Sequence, residues 1–189
     1  QEERTLIVFL SDNGAPPKNG SRNTPLTGGK GTTWEGGLRT AFVMQWKGVL
    51  PAGRVVDAPV ISLDLLPTAL AAAGVAVAPA GRSAASPHAG IPAFDGVNLL
   101  PFLTGATTEP PHPALFWRYG NQMAARQGDW KLTRALDAAT RPPALKTGLF
   151  DLRKDPGEQH DLSASEPGKV KQLESAWDAW NAGNVKPLW

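Results

Sequence analysis

Two short stretches hold the residues whose types and spacing could do chemistry. The first is Ser11-Asp12-Asn13-Gly14. A carboxylate beside a carboxamide offers oxygen donors of the kind taken by hard cations such as Ca²⁺ or Mg²⁺. The stretch directly follows an apolar run, and in open α/β sheets ligands bind beyond the carboxyl ends of strands. The same residues also suit a plain turn, because Asp and Asn bond to nearby backbone and Gly accepts positive φ. The second stretch is Thr27-Gly28-Gly29-Lys30-Gly31-Thr32-Thr33-Trp34-Glu35-Gly36-Gly37. Its glycines let backbone approach an anion closely, and Lys30 offers a point charge to a sulfate or phosphate oxygen. Lys30 is followed by Gly31, so the GxxxxGK[ST] phosphate loop is not met, and a solvated glycine-rich loop is the plain alternative.

Other candidates are weaker. Glu35 and Arg39 suit a structural ion pair or hydrogen bonds that fix the Lys30 loop. Trp117, Arg118, Tyr119 and Asn121 form a denser cluster. The aromatics beside an Arg could stack on a sugar or aryl ring and pair with an extra sulfate, whereas alternation along a strand would bury Trp117 and Tyr119 as core and leave Arg118 and Asn121 as rim candidates. His88, His112 and His160 lack the i, i+4 spacing of a metal site and read as surface residues.

Several elements must position these groups. Thr5 to Leu10 is a continuous apolar run, as expected of a parallel strand buried on both faces. No strand lies upstream to flank it, so the sheet is expected to be completed by other sequence or a partner chain. Thr40 to Trp46 reads as the next strand and Val55 to Ile61 as a short strand or extended segment. Asp64 to Ala73 reads as a helix, with Ser62 or Asp64 as N-cap and Gly74 at the C′ position. Residues 75–93, rich in Ala, Pro, Gly and Ser, read as a surface loop. Asp95 to Leu103 could hold one helical turn. Beyond Gly105 come four short β-like runs, Ala114 to Tyr119, Gln122 to Arg126, Asp129 to Arg134 and Gly148 to Leu152, with Gln127-Gly128 as a hairpin turn. A helix over Pro167 to Asn181 would present Val170, Leu173, Trp177 and Trp180 on one stripe. Strand and helix order argues for α/β layering in residues 1–105, and for a small antiparallel sheet with one helix in residues 106–189.

Composition bounds the possibilities. The 189 residues suffice to bury a core, and 19 Lys+Arg against 17 Asp+Glu give a formal charge of +2. No basic run accompanies that charge, which argues against nucleic acid as a partner. No run of 18 apolar residues occurs, so no transmembrane helix is expected. Cysteine is absent, which excludes disulfides, thiolate zinc sites and a cysteine nucleophile encoded here.

Taken in order, the motifs resemble the type I sulfatase family, which includes the arylsulfatases, within the alkaline-phosphatase-like superfamily. The matching residues are Ile7 to Gly14, Gly29-Lys30-Gly31, Trp34 to Arg39, Leu63 to Thr68 with Ala73-Gly74, Asp95 to Leu100, Arg126 to Leu132, and Leu149 to Leu152 with Asp155-Pro156-Gly157-Glu158. The resemblance covers residue 5 to about 162. It implies part of an α/β/α sheet domain, a small antiparallel subdomain with a C-terminal helix, and hydrolysis of a sulfate ester with one divalent cation, usually Ca²⁺. Carried over, Asp12 and Asn13 would be two of the metal ligands and Lys30 would contact the sulfate.

The family's formylglycine, made from the Cys or Ser of a CxPxR or SxPxR motif, has no counterpart in this sequence. The resemblance therefore implies a carboxyl-terminal portion, inactive by itself, whose nucleophile and remaining acidic ligands lie upstream. The expected partners are a sulfated small molecule or glycan and the missing amino-terminal half. Family members are often periplasmic or secreted. The alternatives are a phosphonate or phosphate ester hydrolase of the same superfamily, and a non-catalytic anion- or glycan-binding chain.

Overall fold

The computed structural model describes residues 1–77, 94–137 and 140–187. In chain order the elements are β1 (Ile7–Leu10), α1 (Glu35–Leu38), β2 (Phe42–Gln45), α2 (Leu65–Ala72), α3 (Leu100–Leu103), β3 (Leu115–Tyr119), β4 (Gln122–Gln127), β5 (Trp130–Asp137), β6 (Ala144–Asp151) and α4 (Pro167–Asn181). They fall into two compact units, residues 1–10 with 42–112, and residues 11–41 with 113–189. This grouping differs from a division at residue 105, because the segment carrying both chemical motifs belongs with the second unit.

In the first unit β1 pairs antiparallel with β2, with Ile7 opposite Gln45 and Leu10 opposite Phe42. The pairing with β2 is therefore antiparallel and not the parallel one expected. Ile7 and Phe9 are 53% and 65% exposed. A continuous apolar run reports a demand for cover on both faces but does not encode the direction of its neighbour. Val55 to Ile61 forms no strand. Val55 is exposed, and the adjacent Arg54 donates to the Leu103 carbonyl at 2.7 Å.

Helix α2 forms where expected and ends at Gly74, whose φ of +80° suits glycine. Its entry is organised by Asp64, which is fully buried. That carboxylate accepts the Ile61 N–H at 2.9 Å and the Val97 N–H at 2.8 Å. His112 Nε2 lies 2.9 Å from Asp64 Oδ2, and facing a carboxylate it must carry the proton. His112 is thus a buried partner and not the surface residue expected. The pairing spans 48 positions, which no local spacing could reveal. His160 is exposed as expected, and His88 lies outside the described residues.

The second unit is an antiparallel meander in the order β3-β4-β5-β6. Its first turn is Gly120-Asn121 and its second is Gly128-Asp129, one residue later than expected, with Gln127 paired to Trp130. Strands β5 and β6 are longer than their local sequence suggests because they pair in register from Trp130 and Asp151 to Asp137 and Ala144. Alternation sorts the side chains. Met123, Ala125, Leu132 and Leu149 meet Leu173 and Trp177 of α4, while Ala135, Phe150 and Leu152 pack on Trp34.

Trp177 is buried and donates from Nε1 to the Trp117 carbonyl at 3.0 Å. Tyr119, expected in the core, is 51% exposed, because it ends β3 at the hairpin where the sheet runs out. Trp177→Ala is expected to cost about 3 to 5 kcal/mol in urea denaturation. Trp180→Ala, at a 37% exposed position, should cost less than about half of that.

Candidate functional site

All of the sequence-derived site residues lie in the second unit. Segment 11–15 bends at Asp12 and Asn13, without the i to i+2 bond of an Asx turn. Asp12 Oδ1 accepts the Asn13 N–H at 3.0 Å, and the Ser11 hydroxyl donates to the Asn13 carbonyl at 3.0 Å. Gly14 donates its N–H to the Gly37 carbonyl at 3.0 Å. A Cβ on Gly14 would sit 1.7 Å from the Gly36 oxygen, so the two backbones meet only because Gly14 lacks a side chain.

The Lys30 loop is stitched to this corner. Asn23 Oδ1 accepts the Ala15 N–H, while Asn23 Nδ2 donates to the Ala15 carbonyl at 2.9 Å and the Gly28 carbonyl at 3.1 Å. The Lys30 N–H donates to the Ala15 carbonyl at 3.3 Å. The two motifs, 18 positions apart by number (30 − 12), are therefore one hydrogen-bonded substructure. Gly28 and Gly31, at φ of +76° and +84°, turn the chain on either side of Lys30, whose side chain is exposed.

The sheet holds the loop from its other side. Thr33 Oγ1 donates to the Met123 carbonyl at 3.1 Å and lies 3.0 Å from Thr133 Oγ1. Trp34 Nε1 donates to the Leu136 carbonyl at 3.0 Å, and Gln122 Nε2 to the Gly31 carbonyl at 2.8 Å. From the turn after β6, Gly157 offers its carbonyl to Thr27 Oγ1 at 2.6 Å.

Behind the loop lies a buried ionic cluster. Lys131 Nζ is 2.8 Å from Glu35 Oε1, to which it donates a hydrogen bond. It is also 2.8 Å from Glu158 Oε1, a second ion pair. Glu158 Oε2 accepts the Glu35 N–H at 2.6 Å. Burial pushes the Glu158 carboxyl above its ordinary range, outweighing the Lys131 ammonium and the hydrogen bonds, with the Glu35 charge acting in the same upward direction.

Glu35 is thus in a structural ion pair, as expected, but with Lys131 and not with Arg39, which is exposed, while Glu158 accepts its backbone N–H. Sequence reasoning missed both partners. Both lie in stretches that carry the family resemblance, and Lys131 sits between the apolar strand neighbours Trp130 and Leu132, but neither signal names a partner.

Arg118 donates from Nη1 to Asn181 Oδ1 at 2.6 Å and from Nη2 to the Val185 carbonyl, so it ties β3 to the end of α4. Asn121 sits exposed in the β3–β4 turn. The bonds of Arg118 go to Asn181 and Val185 and not to the loop that carries Lys30. Asp12 and Asn13 supply two hard oxygen side chains, which fits part of a Ca²⁺ or Mg²⁺ donor set. Among the described residues no group of three His, Cys, Asp or Glu could hold a metal.

Comparison with known proteins gives a consistent answer. A family profile described as Sulfatase matches residues 1–75. N-acetylgalactosamine-6-sulfatase of Sus scrofa is 39% identical, covering 84% of this chain and 34% of that protein. Human arylsulfatase A is 32% identical, covering 90% of this chain and 36% of that protein. The crystal structure of Ps i-CgsB in complex with k-i-k-neocarrahexaose superimposes with a TM-score of 0.79 at 32% identity, over 100% of this chain and 39% of that one. The chain spans about a third of the length of the curated relatives it matches. A likeness over the whole chain agrees with the expected fold, part of an α/β sheet domain with a small antiparallel subdomain.

The ionic cluster makes a pH prediction. A raised folded-state value means that the stability linked to protonated Glu158 is present below the ordinary 4.5 and lost as pH rises through the higher folded value. Glu158→Gln keeps an acceptor for the Glu35 N–H and removes one charge. In denaturation series from pH 4 upward, the variant's stability relative to wild type is expected to improve as pH rises, and a flat difference would contradict this account.

Proposed function

Since the chain belongs to the sulfatase family, we propose that it forms the carboxyl-terminal part of an enzyme that hydrolyses sulfate esters, with Asp12, Asn13 and Lys30 in its active site. The observation that carries this reading is the hydrogen bonding of the Lys30 loop to the Asp12-Asn13 corner through Ala15 and Asn23. It makes a candidate cation-binding edge and a candidate anion-binding lysine parts of one substructure.

Each residue then has a definable task. The Asp12 carboxylate and the Asn13 side-chain oxygen would hold a divalent cation, Ca²⁺ or Mg²⁺, which when bound supplies positive charge to the sulfuryl oxygens. The Lys30 ammonium donates to a sulfuryl oxygen and stabilises charge as the ester bond breaks. Being exposed, Lys30 can reach a ligand without breaking an internal ion pair. The sequence holds no cysteine, and the formylglycine nucleophile is assigned to sequence outside this chain.

A sulfated carbohydrate is the proposed substrate class. N-acetylgalactosamine-6-sulfatase is the relative at 39% identity, and Ps i-CgsB was solved with an oligosaccharide at 32%.

Two experiments test the reading. The 189-residue chain alone should turn over no 4-nitrophenyl sulfate above a Lys30→Ala control. In the full-length protein, Lys30→Ala is expected to lower kcat/KM for that ester about 10²- to 10³-fold, and Asp12→Ala to weaken activation by added Ca²⁺. Faster turnover of a phenylphosphonate or phosphate ester than of the sulfate would overturn the assignment. So would tight binding of Ca²⁺ and a sulfated sugar by the isolated chain, which would favour a non-catalytic module.

A further inference from the structure

We propose that Lys131 and Glu158 are positioning residues for Lys30: with Glu35 they lock the 155–159 turn onto the loop that presents the lysine. The inference rests on the sulfate role assigned to Lys30 above.

The connection is continuous and short. Glu158 Oε2 receives the N–H of Glu35, the first residue of the single turn α1. The next two residues leave that turn as the loop's own fastenings. The Gly36 N–H donates to the Thr27 carbonyl at 2.7 Å, and the Gly37 carbonyl accepts the Gly14 N–H at 3.0 Å. Fixing Glu35 therefore fixes both the start of the Lys30 loop and the turn that carries Asp12 and Asn13. The 155–159 turn adds a second clamp at Thr27, through the Gly157 carbonyl at 2.6 Å and Gln159 Nε2 at 2.7 Å. Gly157 comes close enough that a Cβ would lie 2.9 Å from the Pro25 oxygen.

Stability alone is a poor account of this cluster. Burying two carboxylates around one ammonium costs desolvation that an apolar trio of similar volume avoids. Among the described residues, Glu35 Oε2 has no hydrogen-bond partner. Glu158 adopts a left-handed φ of +56°, which an L-residue takes only when its surroundings compel it. Two charges pointed at one ammonium, and a carboxylate aimed at one backbone N–H, specify direction in a way that apolar packing does not. Arg39, the other charge of this stretch, is exposed and not part of the cluster.

A double-mutant cycle in the full-length protein tests the coupling, with kcat/KM for 4-nitrophenyl sulfate and Tm measured for each variant. Glu158→Ala is expected to lower kcat/KM about tenfold to a hundredfold at a temperature where it stays folded. In a Lys30→Ala background the same substitution should change kcat/KM by less than about twofold, while its Tm loss is unchanged. Glu158→Gln, which keeps the acceptor, should restore most of the activity. Amide exchange over residues 27–37 should quicken in Glu158→Ala and not in Glu158→Gln.

Equal loss of kcat/KM with and without Lys30 would overturn the proposal and leave a structural cluster. If Lys30→Ala alone retains wild-type activity, the sulfate role of Lys30 fails first, and that single variant identifies it. Should Glu158→Ala not fold, Thr27→Val, which removes only the clamp at Gly157 and Gln159, takes its place in the cycle with the same expected and contrary results.

Discussion

Lys131 is completely enclosed, and its ammonium sits 2.8 Å from carboxylate oxygens of Glu35 and Glu158. A lone charge there would be too costly to bury, so the three groups exist together or not at all. Much of the second unit follows from that requirement. Strand β5 must present Lys131 on the face opposite Leu132, the loop before α1 must bring Glu35 down onto the sheet, and the chain after β6 must turn back to deliver Glu158. The left-handed backbone at Glu158 belongs to this arrangement. The cluster thus joins three segments that are far apart in sequence, and one of them carries Lys30.

The other constraint in this unit is close approach of backbone. Gly14, Gly36 and Gly37 lie where a Cβ would meet a carbonyl oxygen at 1.7, 2.5 and 2.2 Å respectively. With no side chains between them, the Asp12-Asn13 corner and α1 share hydrogen bonds directly. Asn23 completes the joint by bonding both backbone groups of Ala15 and the carbonyl of Gly28.

The first unit has its own polar centre, built on the same logic. Asp64 is buried and accepts from Ile61, Val97 and His112, which ties the entry of α2 to the segment before α3 and to residue 112. Thr68 adds the N–H of Leu99 at 3.0 Å, and Gly96 passes so close that a Cβ would lie 2.1 Å from the Leu63 oxygen. A buried carboxylate with every donor accounted for defines one arrangement of these loops, where apolar contacts alone would allow several.

Local sequence was enough for features whose cause is local. Capping and a following glycine marked α2, the apolar period marked α4, and the order of motifs pointed to the sulfatase family. It also established that no cysteine nucleophile is encoded in these 189 residues. Where the cause was a distant partner, local reading failed. The antiparallel pairing of β1, the burial of His112 by Asp64, the exposure of Tyr119 and the union of Lys131 with Glu35 and Glu158 depend on which segments meet. The reason is physical: a residue's type states what environment it needs, but only the folded chain decides which partner supplies it.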